Sequence, residues 1–288
     1  MAGKTAAMNT LLSIGHGYSA RALARLLRPV GWRVIATTRD AGKFEELRGE
    51  GVEPVLFPAR DVLGEASHVL SSVAPGADGD PVLAELAGAL ADHAGRLDWV
   101  GYLSTTGVYG DHGGGWVDET TPLTPSTQRG KYRVEAEAAW AAIPDLPLHI
   151  FRLAGIYGPG RGPFAKVRAG TARQIIKPAQ VFSRIHVEDI AQVLAASIAR
   201  PNPGAVYNLC DDDPAPPHDV LAYAAQLLHL PPPPVVDFDT AEMSPMARSF
   251  YAENKRVRND LIKSELGIRL RHPTYREGLQ ALLGQSET

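Results

Sequence analysis

Through the first half of the chain, short apolar runs alternate with stretches whose apolar residues recur at helical spacing. TLLSIG (10–15) leads into SARALARLLRPVG (19–31), where Ala20, Leu23, Leu27 and Val30 fall at or near one helical face. RVIATT (33–38), a charged helix-like segment (40–49), VEPVLF (52–57) and SHVLSSVA (67–74) follow. The helix-period stretch DPVLAELAGALADHA (80–94) precedes WVGYLST (99–105), and PLHIFRLAGIYG (147–158) reads as a sixth strand. Apolar strands that do not alternate with polar residues are buried on both faces, as in a parallel sheet covered by helices. The pattern therefore predicts an α/β fold built on a doubly wound parallel sheet.

Beyond about residue 160 the pattern loosens. HVEDIAQVLAASIA (186–199) and DVLAYAAQLLHL (219–230) have helical spacing, and GAVYNLC (204–210) reads as a strand. NKRVRNDLIKSELGI (254–268) reads as a helix stopped at Gly267. DDDPAPPH (211–218) and LPPPPVV (230–236) are turn-rich or polyproline-like breaks. The predicted division is one domain over 8–160 and a mixed region over 161–288. That region adds to the first domain's core and forms a smaller, less regular lobe for substrate.

Composition narrows the function by exclusion. A formal net charge of −3 over 288 residues gives no electrostatic case for nucleic acid or an anionic membrane. LARLLRP and KRVR are basic only locally and lack an aromatic platform for bases. The single cysteine, Cys210, rules out an intrachain disulfide and a four-cysteine zinc site, and its apolar setting predicts a buried, inert thiol. No apolar run approaches the ~20 residues that span a bilayer. The leader MAGKTAA has no signal-peptide core, and its GKT lacks the upstream glycine and strand of a phosphate loop. A soluble cytoplasmic protein is the expectation. The histidines show no HxxxH or HExxH spacing, and no GxSxG elbow is present. Asp211–Asp213 read as a solvated loop rather than a cation site.

SIGHGYSA is the first stretch that carries chemistry. It sets Gly15, Gly17 and Ala20 in a GxGxxA pattern between a strand and a helix. Gly15 permits the tight turn, Gly17 lets a pyrophosphate approach the backbone, and Ala20 allows close helix–strand packing. The helix start at Tyr18, Ser19 and Ala20 offers N–H donors and the positive end of the dipole. This predicts a Rossmann-type NAD(P)-binding domain. The second strand ends in ATTRD, with Thr38 where an NAD site usually holds an acidic residue. Arg39 beside it can pair bidentately with a 2′-phosphate. The competing assignment makes Arg39 a solvated charge and gives Asp40 the acidic part. NADP(H) is the preferred cofactor and NAD(H) the alternative.

YLSTTGVYG (102–110), RLAGIYGPG (152–160) and RIHVEDIA (184–191), in that order, resemble the extended short-chain dehydrogenase/reductase family, the NAD-dependent epimerase/dehydratase group. VYGDHGGGWVDETTPLTP, RGKYRVEAEAAW and NKRVRNDLIKSELGI with PTYREGL resemble its atypical YeeZ-like branch, which typically lacks the standard active-site residues. The resemblance runs from Gly15 to about Gly278. It implies that the Thr105 hydroxyl, four residues before Tyr109, serves the reacting oxygen. It implies that Val73, Ala74 and Pro75 line the adenosine half of the cofactor, and that Ala154, Gly155 and Ile156 lie beside the nicotinamide. His186 is expected to cap a helix or brace two lobes rather than to catalyse. The family also implies dimerisation through helices flanking the sheet, so a homodimer is one expectation.

The chain departs from the family at its catalytic pair. Aligning on Glu137 puts Arg129 at the family's tyrosine and Arg133 at its lysine. Arginine has five donors, no acceptor and no proton cycle at neutral pH, so Arg129 cannot be the general acid or base. Arg129 can hold a carboxylate, a phosphate or a developing oxyanion, and Arg133 can bind ribose hydroxyls. Tyr132 and Tyr109 are the phenols that could substitute. His112, in the glycine-rich GDHGGGW, reads as a turn or lid residue. Lys255, Arg256 and Arg258 either anchor the C-terminal lobe or meet an anionic ligand. Two functions follow. One is an NADP(H)-dependent oxidoreductase or epimerase/dehydratase-like enzyme for a small polar, anionic or sugar-like substrate. The other is a catalytically silent dinucleotide-binding sensor.

Overall fold

The computed structural model describes residues 8–285; the GKT segment of the leader lies outside them. Strands β1 (Thr10–Ile14), β2 (Arg33–Thr38), β3 (Glu53–Leu56), β4 (His68–Ser71) and β5 (Trp99–Thr105) come first in the chain. They are followed by β6 (Trp116–Val117), β7 (Leu148–Leu153), β8 (Gly155–Tyr157), β9 (Gln174–Ile176) and β10 (Arg184–His186). The last are β11 (Val206–Leu209), β12 (Val235–Asp237) and β13 (Arg256–Val257). Seven of them form one sheet in the order β11-β7-β5-β4-β1-β2-β3. The registered pairs β1–β2, β1–β4, β2–β3 and β4–β5 are all parallel. The doubly wound Rossmann-type sheet predicted from the apolar runs is what forms.

The helices are α1 (Tyr18–Leu27), α2 (Phe44–Gly49), α3 (Pro81–His93), α4 (Gln128–Ala141) and α5 (Phe164–Arg168). Then come α6 (Val187–Ala199), α7 (Pro217–Leu227), α8 (Pro245–Phe250), α9 (Asp260–Ser264) and α10 (Tyr275–Gln285). None of the described helices is long and apolar enough to cross a membrane.

Two readings of the sequence are corrected. The expected single strand over 147–158 breaks at Ala154. The Ala154 N–H donates to Leu209 O at 3.0 Å, and the chain then leaves to pair β8 with β10. The expected helix over 254–268 is instead the short strand β13, paired with β6, followed by α9. Its N–H groups are claimed at long range: Arg256 N donates to Gly115 O at 2.9 Å and Arg258 N to Val117 O at 2.9 Å.

Contacts group the chain into two interleaved units rather than cutting it at residue 160. Of the described residues, one holds 8–104, 132–151 and 190–206; the other holds 105–131, 152–189 and 207–285. Residues 190–206 fall in the first unit. The first unit's core includes Leu12, Ile14, Val69, Leu86, Tyr102 and Trp140. Each fully buried aliphatic side chain there contributes ~2 kcal/mol. Asp80 caps α3 by accepting from Val82 N at 2.8 Å and Leu83 N at 3.2 Å, while its other oxygen accepts from Trp140 Nε1 at 2.9 Å. One carboxylate therefore both starts a helix and satisfies a buried indole. The second unit has its own core, in which Tyr157, Phe164, Ala224, Tyr275 and Leu279 pack together.

Candidate functional site

In the first unit, β1 ends in a turn that the sequence specifies closely. Gly15 has φ +73°, and a Cβ there would sit 2.6 Å from Val73 Cγ2, so a side chain is excluded twice over. The turn is held from both neighbouring strands: Gly15 N donates to Thr37 Oγ1 at 3.0 Å, and the Ser72 hydroxyl donates to Gly15 O. Gly17 begins α1 without a side-chain cap, and nothing crowds the space a Cβ would take there. Tyr18 opens α1, and the N–H groups of Ser19 and Ala20 come before the helix's own bonding ladder begins. Ala20 is buried, as its packing role requires. This uncapped, uncrowded helix start suits a dinucleotide pyrophosphate. Val73 packs on the turn, and Ala74 and Pro75 continue the loop after β4.

At the end of β2, the Thr38 hydroxyl accepts from Asp40 N at 3.1 Å, and Asp40 Oδ1 accepts from Gly42 N at 2.9 Å. Asp40 is thus the cap of the turn at 41–43. Arg39 is exposed, and no hydrogen bond or ion pair engages it among the described residues.

Arg133, in the family's lysine position on α4, reaches inward. Its Nη1 donates to Leu103 O at 2.7 Å, to Tyr102 Oη at 3.0 Å and to Val73 O at 3.5 Å. One nitrogen thus ties the end of β5 to the loop after β4. The Tyr102 phenol is pushed up to about 12 by burial, so it stays neutral beside that cation. A second buried contact in this region, Ser104 Oγ donating to Glu137 Oε1 at 2.5 Å, fixes the position used for the alignment. Tyr132 is half-buried, and no hydrogen bond engages its hydroxyl among the described residues.

In the second unit, Thr105 Oγ1 accepts from Gly107 N at 3.2 Å, which leaves its own proton to donate. Gly130 lets α4 approach the chain after β5: a Cβ there would lie 2.7 Å from Pro125 Cβ and 2.8 Å from Gly107 O. Tyr109 must be corrected as a candidate catalyst. It is 0% exposed, donates to Asn208 Oδ1 at 2.7 Å and accepts from Arg152 Nη1 at 3.0 Å. Burial raises its phenol above the ordinary value, and its hydroxyl is fully employed inside the unit. Arg129 is exposed and stacks on Phe250, its Cζ 4.9 Å from the ring centroid. Ala154, Gly155 and Ile156 follow β7, with Gly155 exposed and Ile156 half-buried in β8.

Several charged candidates prove structural. Lys255 Nζ donates to Gly110 O at 2.7 Å and to Glu253 Oε2 at 2.6 Å, and Arg256 donates to Gly114 O. They anchor the loop in which His112 Nε2 donates to Tyr109 O at 3.0 Å. Arg258 pairs with Asp260 at 2.6 Å. Asp211 is corrected from solvated to buried, and burial pushes its carboxyl well up. Cys210 is buried as expected, its thiol donating to Val257 O at 3.1 Å and raised by the same cause.

Among the described residues, His186, Glu188 and His272 form the grouping whose donor atoms could meet around a cation. The hydrogen bonding argues otherwise. His186 Nδ1 accepts from Glu188 N at 3.3 Å and caps α6, so the neutral ring carries its proton on Nε2 and has no lone pair to spare. Burial and the neighbouring His272 lower its pKa to about 4. His272 Nε2 in turn meets Glu188 Oε2 at 3.0 Å. The cap predicted for His186 is confirmed.

Thr37, Ser72 and Tyr102 were not singled out as partners of the site. The available signal was polar atoms at the carboxyl ends of otherwise apolar strands.

No family model matches the chain. It is 29% identical to Protein YeeZ of Escherichia coli (strain K12) over 245 residues, 78% of this chain and 86% of that one. A functionally unknown conserved protein from Silicibacter pomeroyi DSS has a solved structure with TM-score 0.94 and 64% identity, covering 98% of this chain and 100% of its own. A putative NAD-dependent epimerase/dehydratase from Methylobacillus flagellatus matches with TM-score 0.72 and 25% identity, over 98% and 100%. The fold alone is shared with human epimerase family protein SDR39U1 with NADPH, at TM-score 0.72 and 17% identity over 96% and 99%. On this sheet, with these motifs in order, the chain is similar to the extended short-chain dehydrogenases/reductases of the epimerase/dehydratase type and, among them, to YeeZ.

Proposed function

We propose that the chain is an NADP(H)-dependent oxidoreductase acting on a small polar, anionic or sugar-like substrate. The observation that carries the cofactor choice is the end of β2. Arg39 stands free, while Asp40, its rival for the ribose, has spent a carboxylate oxygen as a turn cap. An acidic residue accepts from a ribose 2′-hydroxyl, whereas a free guanidinium matches a 2′-phosphate. The residues around Gly15 and Gly17 fit the pyrophosphate that either nicotinamide dinucleotide carries. The nicotinamide, when bound, supplies or takes up the hydride.

The chain's own residues would bind and orient. Arg133 fixes the end of β5 through Nη1, which leaves Nη2 and Nε as donors toward ribose hydroxyls. Thr105 and Tyr132 are the hydroxyls left to serve a reacting oxygen, and Arg129 supplies positive charge. A second reading, a catalytically silent sensor, is favoured by one observation. The position of the family's lysine is occupied by an arginine whose Nη1 is committed to the protein's own oxygens.

Fluorescence titration tests the cofactor choice. NADPH should bind at least about tenfold more tightly than NADH, and Arg39→Ala should remove that difference by weakening NADPH alone. Equal affinities in the unaltered protein would overturn the assignment.

A further inference from the structure

Helix α8 is tied down along one side by Arg248 and Tyr251. Arg248 Nη2 donates to Ala241 O at 2.8 Å, and its guanidinium lies 4.9 Å from the Phe238 ring centroid. Tyr251, just past the helix, packs its ring against Phe182 at 5.3 Å and Phe238 at 5.2 Å. At about 100° per residue, Met246, Ser249 and Phe250 share the other side. Met246 is 63% exposed and Phe250 55% exposed, one turn apart.

Arg129 completes this patch. Its guanidinium lies over the Phe250 ring, and Nη2 donates to Ser249 Oγ at 3.5 Å. The Ser249 hydroxyl donates to Met246 O at 2.7 Å, so its lone pairs face the arginine. No carboxylate pairs with Arg129 among the described residues, in contrast to Arg258 of the same unit, which is paired with Asp260. Stacking holds the guanidinium plane in place, so its remaining N–H groups form a pre-organised fork beside exposed apolar surface.

We propose that Arg129, Ser249, Phe250 and Met246 form a subsite for a carboxylate carried on a flat aryl or conjugated group. The planar fork of Arg129 takes both carboxylate oxygens. The attached ring lies against Phe250 and Met246, where sulfur and ring contacts favour an aromatic partner. A sugar phosphate would satisfy the charge and leave the apolar side chains in water. The inference deepens the oxidoreductase reading, on which it rests in calling the ligand a substrate.

The test is a calorimetric and ligand-observed NMR titration of the NADPH-loaded protein. The probes are trans-cinnamate, acetate, cinnamyl alcohol and glucose 1-phosphate. Cinnamate should bind at least about tenfold more tightly than each of the other three. Arg129→Gln should weaken cinnamate about tenfold, Arg129→Lys less so, and Phe250→Ala should weaken cinnamate without changing acetate. Both side chains are exposed, and an unchanged urea-unfolding midpoint in each variant serves as the check on folding. Preferential binding of glucose 1-phosphate, no cinnamate binding, or equal cinnamate binding in Arg129→Gln would each overturn the subsite. If NADPH fails to bind the unaltered protein, the same titration without it still decides the subsite, and the cofactor assignment falls separately.

Discussion

Two tyrosines that a sequence reader would treat alike have opposite surroundings. The Tyr109 hydroxyl is a buried link between Asn208 and Arg152, whereas Tyr132 is half-buried with its hydroxyl uncommitted. Tyr109→Phe takes an acceptor from Arg152 and a donor from Asn208, so it should destabilise the fold by ~1–3 kcal/mol. Tyr132→Phe should leave the urea midpoint unchanged and lower turnover in a nicotinamide-absorbance screen of carbonyl, sugar and carboxylate substrates. The reverse pattern would return Tyr109 to the catalytic list, and tight NADPH binding with no turnover would favour the sensor. Buried histidines add a pH signature. Burial lowers both His16 and His186 to about 4, the first with help from Arg21 and Arg25 and the second from His272. Unfolded, each titrates near its ordinary value of ~6.5. At these two groups the unfolded chain binds more protons between those values, so their contribution to stability falls as pH drops from 6.5 toward 4. The slope reaches ~1.4 kcal/mol per pH unit for each group. His186→Asn, which keeps a capping oxygen, should flatten urea-denaturation stabilities measured from pH 7 to 4.5; an unchanged slope would refute this account.

At the scale of elements, what was legible depended on how local the cause is. The strands at 33–38 and 99–105 were read with their observed bounds because apolar runs and their punctuation lie within the segment. The 254–268 segment was misread because its pairing partner, Trp116–Val117, lies far back in the chain and leaves no local periodicity. The site divides along the same line. Gly15, Gly17 and Ala20 are one loop and were readable, but Tyr109 is buried by partners 99 and 43 residues away. Gly130 is a case where element packing outweighs propensity. Alanine is the better helix former by ~1 kcal/mol. A Cβ at Gly130, however, would press on Pro125 and on the Gly107 carbonyl, and overpacking of this kind costs ~1–3 kcal/mol. Gly130→Ala should therefore lower stability in a urea titration despite its helix-favouring change. A gain in stability would show that α4 can shift freely at this point.

At the scale of the molecule, the Rossmann unit is not a stretch of chain but an assembly of three. A fragment ending at residue 160 carries the glycine turn, Arg39 and Arg133, so a reading by motif alone would expect it to bind the dinucleotide. It lacks 190–206, and that segment closes buried polar groups in the first unit. Ser197 Oγ accepts from Trp99 Nε1 at 3.0 Å, Asn202 N donates to His149 Nε2 at 2.8 Å, and Ala205 O accepts from Ile150 N at 3.0 Å. Trp99 is fully buried and its ring stacks on His149 at 5.7 Å, so cutting the chain would strand an indole N–H and expose apolar sheet surface. Each such unsatisfied buried group costs ~1–3 kcal/mol, and a domain's whole margin is ~5–15 kcal/mol. The 1–160 fragment should therefore unfold without a cooperative transition, bind a hydrophobic dye and fail to bind NADPH. A fragment extended to residue 210 should regain cooperative unfolding, because it holds every segment of the unit. Cooperative unfolding and NADPH binding by the 1–160 piece would show instead that the glycine turn and six of the seven sheet strands suffice.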